Sequence, residues 1–125
     1  MPKILLVEDD EALRAIYQTR LQGEGYIVVP AQNGEEGLAL AKADKPDLII
    51  ADIMMPKVSG FGMLESLRQT DGLKDIKVIM LTALGQAEDE ERAKSLGANR
   101  YYVKTQVSLE DIVAAAKELL AEQPS

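Results

Sequence analysis

Ile4-Leu5-Leu6-Val7-Glu8-Asp9-Asp10 decides how this chain is read: four apolar residues run straight into three carboxylates. The same form recurs. Leu48-Ile49-Ile50-Ala51 runs into Asp52, Val78-Ile79-Met80-Leu81 into Thr82, and Tyr101-Tyr102-Val103 into Lys104. Short apolar runs without alternation, separated by helical stretches, mark strands of a parallel sheet covered on both faces. Ligands of such sheets lie beyond the carboxyl ends of the strands. Glu8, Asp9, Asp52, the Thr82 hydroxyl and the Lys104 ammonium would therefore gather in one crevice. That set suits a divalent cation together with a phosphoryl group.

Working outward, strands are predicted at about 3–7, 26–30, 47–51, 77–82 and 100–104, with helices in the gaps. The first helix spans about 11–22, with Leu13, Ile16, Tyr17 and Leu21 on one stripe and Gly23 and Gly25 ending it. Asn33-Gly34 introduces a second, whose apolar stripe is the weakest, and Asp44-Lys45-Pro46 breaks it. A third covers about 60–69 with Phe61, Leu64 and Leu67 inward, and a fourth about 86–96, stopping at Gly97. The last starts at Ser108, where Ser108-x-x-Asp111 reads as a capping box. Leu109, Ile112, Val113, Ala116, Leu119 and Leu120 then repeat at helical spacing. Five strand–helix units with right-handed crossovers make a doubly wound α/β fold with helices on both faces. The tail Gln123-Pro124-Ser125 is expected to fray.

Composition narrows the chemistry. The 125 residues suit one domain, 46% of them hydrophobic. No apolar run approaches the roughly 20 residues of a membrane helix, and no secretory segment precedes the first strand; a cytoplasmic location is expected. With no Cys and no His, disulfides, thiolate or imidazole metal sites and Ser-His or Cys-His catalysis are excluded. The net charge of −7 disfavours direct DNA binding and favours a basic partner. Five aromatic side chains (Tyr17, Tyr26, Phe61, Tyr101, Tyr102) are too few for a base-stacking platform.

At the strand ends, Glu8, Asp9 and Asp52 repel one another unless something positive sits among them. Lys104 supplies one charge and a Mg²⁺ ion, with Mn²⁺ as the alternative, would supply the rest. The competing reading of Glu8-Asp9-Asp10 is a set of acids at a helix N-terminus, with Asp10 as the cap. Asp52 is followed by Ile53-Met54-Met55-Pro56 and then Gly60, a loop rather than a helix start, so it is not simply an N-cap. A carboxylate beside Mg²⁺ can attack phosphorus and form an acyl phosphate. Alone, Thr82 reads as an ordinary β-branched strand residue and Lys104 as a solvated one.

Taken in order, Ile4-Leu5-Leu6-Val7-Glu8-Asp9-Asp10, Asp52-Ile53-Met54-Met55-Pro56, Leu81-Thr82-Ala83 and Tyr101-Tyr102-Val103-Lys104 resemble a response-regulator receiver domain of two-component signalling, over essentially the whole length. The resemblance implies a flavodoxin-like sheet of order 2-1-3-4-5 in a single receiver domain, 1–125, without an output domain. It implies Asp52 as phosphoacceptor, with Asp9, Asp52 and the Met54 carbonyl holding Mg²⁺ directly and Glu8 through water. Thr82 and Lys104 would contact the phosphoryl group, and Thr82 and Tyr101 would form a switch pair. The donor would be a sensor histidine kinase or phosphotransfer protein. The output would be a protein partner on the face of the fourth helix, fifth strand and last helix. The expected state is a monomer that is no enzyme beyond its own phosphorylation and dephosphorylation.

The chain also departs from the family. Thr105 stands where proline usually follows the lysine, so the Lys104–Thr105 bond is expected to be trans, with a looser Lys104. Leu84 stands where some fast-hydrolysing members carry an acid or amide. The last helix, rich in Ala114, Ala115, Ala116 and Ala121, lacks the charged dimer signature of the transcription-factor subgroup. A haloacid-dehalogenase-type phosphatase would want an acid where Met54 stands. A flavin carrier would not place Glu8-Asp9-Asp10 against a phosphate. A binding-only pseudo-receiver would not need the full acidic set.

Overall fold

The computed structural model describes residues 1–55, 58–83 and 85–122. The readings placed on Pro56, Leu84 and the tail fall outside them. Elements alternate along the chain: β1 Lys3–Val7, α1 Glu11–Gly23, β2 Ile27–Ala31, α2 Gly34–Asp44, β3 Leu48–Asp52, α3 Gly60–Arg68, β4 Lys77–Thr82, α4 Ala87–Ser95, β5 Arg100–Val103 and α5 Leu109–Ala121. The sheet is parallel throughout, in the order β2-β1-β3-β4-β5. Strand and helix limits agree with the sequence reading to within a few residues.

The apolar runs behave as a sheet buried on both faces requires. Leu5, Val7, Ile49, Ala51, Val78 and Met80 join α2, α3 and α4 in one core layer. Ile4, Leu6, Leu48, Ile50, Ile79 and Leu81 join α1 and α5 in the other. Tyr101 packs with the first layer and Tyr102 with the second, the strand alternation expected. Pro30 sits on edge strand β2, where a missing N–H costs least.

Caps follow the sequence. Asp10, Asn33, Ser59 and Ser108 each accept a backbone N–H at a helix start, and Ser108–Asp111 closes as a reciprocal capping box. One stripe residue was misassigned: Ile16 is 51% exposed, while Tyr17 and Leu21 of the same helix are buried. A stripe of three inward positions per two turns is narrower than four apolar residues suggest.

Candidate functional site

The loops after β1, β3 and β5 meet at the carboxyl end of the sheet. β1 and β3 are neighbours, as are β3 and β4, so Glu8, Asp9 and Asp52 converge although Asp52 is more than forty residues from the other two. One oxygen from each of the three carboxylates lies within 4.8 Å of the others. Glu8 and Asp52 are buried, at 1% and 5% exposure, whereas Asp9 faces solvent.

Lys104, half-buried, is the counter-charge. Its Nζ donates to Glu8 Oε1 at 2.7 Å and to Asp52 Oδ2 at 2.9 Å. The Lys104–Thr105 bond is trans, as expected, since the described residues contain no cis peptide. The expected loosening of the lysine does not occur. The Lys104 N–H donates to the Thr82 carbonyl at 2.7 Å, extending the β4–β5 ladder and aiming the side chain before the loop diverges. The remaining oxygens are also held: Asp52 Oδ1 accepts from the Met54 N–H at 3.2 Å and Glu8 Oε2 from the Asp10 N–H at 3.1 Å.

Burial pushes the Glu8 carboxyl up to about 7; Lys104 and the Asp10 N–H oppose the rise and the Asp52 charge adds to it. Burial works against the Lys104 charge, but its hydrogen bonds to Glu8 and Asp52 outweigh that, and the ammonium is held above its usual range. Lys104 leaves two of three negative charges uncompensated when all three acids are ionised. This hard-oxygen set, with one exposed member open to water, fits a Mg²⁺ or Mn²⁺ ion that retains several waters.

Thr82 ends β4, fully buried, one residue beyond Leu81, the pairing partner of Asp52. Met80 pairs with Tyr101 and Thr82 with Val103, so Thr82 and Tyr101 are diagonal neighbours on the α4 side of the sheet. The Tyr101 hydroxyl is buried there with no hydrogen-bond partner among the described residues, and burial, with Asp89 and Glu90 nearby, pushes the phenol above its ordinary range. The Met54 side chain is 51% exposed at the rim.

Of two further supports, Arg14 had not been read from the sequence and Gly60 had been read only as a loop residue. Arg14 Nη1 donates to the Glu8 carbonyl at 2.8 Å, pinning the acidic loop to α1. A helical arginine is solvated by default, and its spacing of four from Asp10 was the available signal. Gly60 lets the chain return against the Asp52 backbone: a Cβ there would lie 2.5 Å from the Asp52 carbonyl oxygen and 2.7 Å from Ile53 Cα.

Residues 4–117 match the family model of the response regulator receiver domain. The chain belongs to that family. It is 41% identical over 120 residues to the DNA-binding dual master transcriptional regulator RpaA of Synechocystis, covering 96% of this chain and 49% of RpaA. It is 42% identical over 118 residues to the probable transcriptional regulator ycf27 of Cyanophora paradoxa, covering 94% of this chain and 48% of that protein. The receiver thus spans about half the length of these curated relatives. Among solved structures it superposes on a CheY-like receiver from Methanospirillum hungatei with a TM-score of 0.90 at 31% identity, over 98% and 95% of the two chains. It matches chemotaxis protein CheY4 of Vibrio cholerae with a TM-score of 0.88 at 31% identity, over 95% and 98%. Two-component signal transduction is therefore its setting, as a regulatory domain. The missing charged dimer signature had pointed away from transcriptional regulators, yet the curated relatives named here are described as such; their DNA-binding activity belongs to those whole proteins.

Proposed function

We propose that Asp52 accepts a phosphoryl group from a histidine kinase or phosphotransfer protein, and that the domain then presents an altered face to a protein partner. The observation that carries this reading is Lys104 Nζ bridging Glu8 and Asp52, with Asp9 open at the rim. An O–P bond forms at Asp52 as the donor's N–P bond breaks, and the donor imidazole keeps the bonding pair. Asp9, Asp52, the Met54 carbonyl and, through water, Glu8 would hold a Mg²⁺ ion, which would supply positive charge against the anionic donor. The Thr82 hydroxyl and Lys104 ammonium contact the transferred group. Lys104 exchanges its carboxylate contact for a phosphoryl oxygen, which couples the new charge to β5. Thr82 moves toward the same group, and the space it leaves lies beside Tyr101.

The output face is that of α4, β5 and α5. A groove of about 490 Å³ runs along it, lined in part by Glu90, Tyr101, Val107 and Glu118. Its acidic rim favours a basic protein surface, and the domain alone, a monomer, does not bind DNA. Among the described residues no helix is long and apolar enough to cross a membrane.

The test is a Mg²⁺ titration with beryllium fluoride as phosphoryl analogue, following backbone amide shifts. Shifts around Asp52, Thr82, Tyr101 and Lys104 that need both reagents and vanish in Asp52→Asn are expected. No shifts in the parent would overturn the reading, and steady release of phosphate from substrates would favour a phosphatase.

A further inference from the structure

Helix α4 is attached very differently at its two ends. At the N-terminus, Gln86 makes no side-chain capping bond; exposure does not distinguish the ends, since Ala87, Glu88 and Glu90 are exposed but so are Lys94 and Ser95. Ala93 is the one buried residue of the helix. Its Arg92 guanidinium, 4.4 Å from the Phe61 ring centroid, is a lateral contact on α3. The C-terminus closes as a Schellman motif: the Ala98 N–H donates to the Ala93 carbonyl and the Gly97 N–H to that of Lys94, with Gly97 at φ +90°.

Such an end still leaves carbonyls without helical donors. Arg68, the last residue of α3, takes that of the C-cap Leu96 and the carbonyl just beyond it. Its Nε donates to the Leu96 carbonyl at 3.3 Å and its Nη2 to that of Gly97 at 2.6 Å. Its Nη1 reaches the carbonyls of Lys74 at 3.0 Å and Ile76 at 2.8 Å, in the turn before β4. One planar fork thus ties together the ends of α3 and α4 and the approach to β4. A cation at a helix C-terminus is also favoured by the dipole. Beside it, the Asn99 N–H donates to the Val78 carbonyl and Asn99 Oδ1 accepts from the Val78 N–H, both at 2.9 Å, fixing the entry to β5.

We propose that Arg68 is a positioning residue that makes the C-terminal end of α4 a fixed pivot, so that signalling displaces the N-terminal half of the helix. Its four acceptors are all backbone carbonyls, and all lie at the end of the sheet opposite Asp52. The second half of the proposal rests on the phosphoacceptor reading; the pivot itself does not.

Native-state amide exchange tests the pivot without any phosphoryl analogue. In the parent, Leu96 to Ala98 should be well protected and Glu90 to Arg92 weakly protected. Arg68→Gln should speed exchange at Leu96 to Ala98 by about tenfold or more, as the loss of charge-assisted hydrogen bonds at a helix end implies, while β1 and β3 keep their protection. Arg68→Lys keeps the charge but lacks the fork, so it should loosen the same amides; this variant decides if Arg68→Gln fails to fold. With Mg²⁺ and beryllium fluoride, parent amide shifts in α4 should concentrate before Ala93, and Arg68→Lys should spread them to Asn99. Equal protection along parental α4, or parental protection restored by lysine, would overturn the pivot. A normal protection gradient with no analogue-induced shift anywhere would leave the pivot standing and sink the phosphoacceptor reading instead.

Discussion

With its ammonium 2.7 Å from Glu8 and 2.9 Å from Asp52, Lys104 holds together two buried carboxylates that otherwise repel. Removing one partner of a buried pair leaves the other charges unsatisfied. Lys104→Ala should cost about 1–3 kcal/mol in chelator, less than a fully dry pair because Glu8 can take up a proton. Added Mg²⁺ should recover part of the loss, read as a shift in the urea midpoint; equal stability of mutant and parent in chelator would contradict the assignment. The variant should still accept phosphate but show smaller amide shifts around Tyr101. Gly60→Ala puts a methyl against the Asp52 and Ile53 backbone, which cannot turn aside as a side chain can. It should cost about 1–3 kcal/mol and slow phosphorylation of Asp52, whereas Gly62→Ala, with 3.4 Å clearance, should do neither. These residues differ in how far the sequence announced them. Glu8, Asp9, Asp52 and Lys104 stand at the ends of apolar runs, and parallel pairing alone brings such ends together. Arg14 and Gly60 act through backbone atoms of other segments, and no side-chain pattern records that.

Helix α2 shows how an element can be sound with a weak apolar stripe. Gly37 lies against Val7 and Met63 and Ala41 is fully buried, so close backbone approach supplements the partly buried Leu38 and Leu40. Gly37→Ala improves helix propensity by up to about 1 kcal/mol. The new Cβ would lie 2.8 Å from Val7 Cγ2, and Val7 is locked in β1, so overpacking of about 1–3 kcal/mol should win. A rise in melting temperature would refute this. Helix α1 failed in the other direction: Ile16 reads as core by type yet lies outside the buried arc. Beyond the apolar layer that α1 and α5 share, a polar link joins their outer sides. Arg20 pairs bidentately with Glu110 and also with Glu24, which in turn meets Lys117. These cations hold Glu24 and Glu110 below the usual carboxylate range. A lowered folded-state pKa gives stability that is full above the unfolded value, about 4.3, and fades as pH falls through the folded one. The difference between parent and Glu110→Gln should therefore be small at neutral pH, because the pair is exposed, and should vanish in acid. Denaturant titrations at several pH values would show it, and a difference that grew on acidification would reverse the argument.

For the whole molecule, the parallel order β2-β1-β3-β4-β5 brings every chemically distinctive loop to one end of the sheet and leaves Arg68 and the α4 terminus at the other. The site is therefore close to a pole, and on the proposed reading its influence would travel along β4 and β5 to the α4 side. The net charge of −7 sets the sign of what can dock. Charge reversal at Glu90 and Glu91 should weaken a basic protein partner and leave Asp52 phosphorylation unchanged; unaltered partner binding would mean that this helix face is merely solvated. All of this presumes that Asp52 is the acceptor. The most direct measurement is the intact mass of the protein after incubation with a small acyl-phosphate donor, with Mg²⁺ or with chelator, for the parent and Asp52→Asn. The account predicts one added phosphoryl group in the parent with Mg²⁺ and none in the other three samples. Modification that persists in Asp52→Asn, or in chelator, would contradict it.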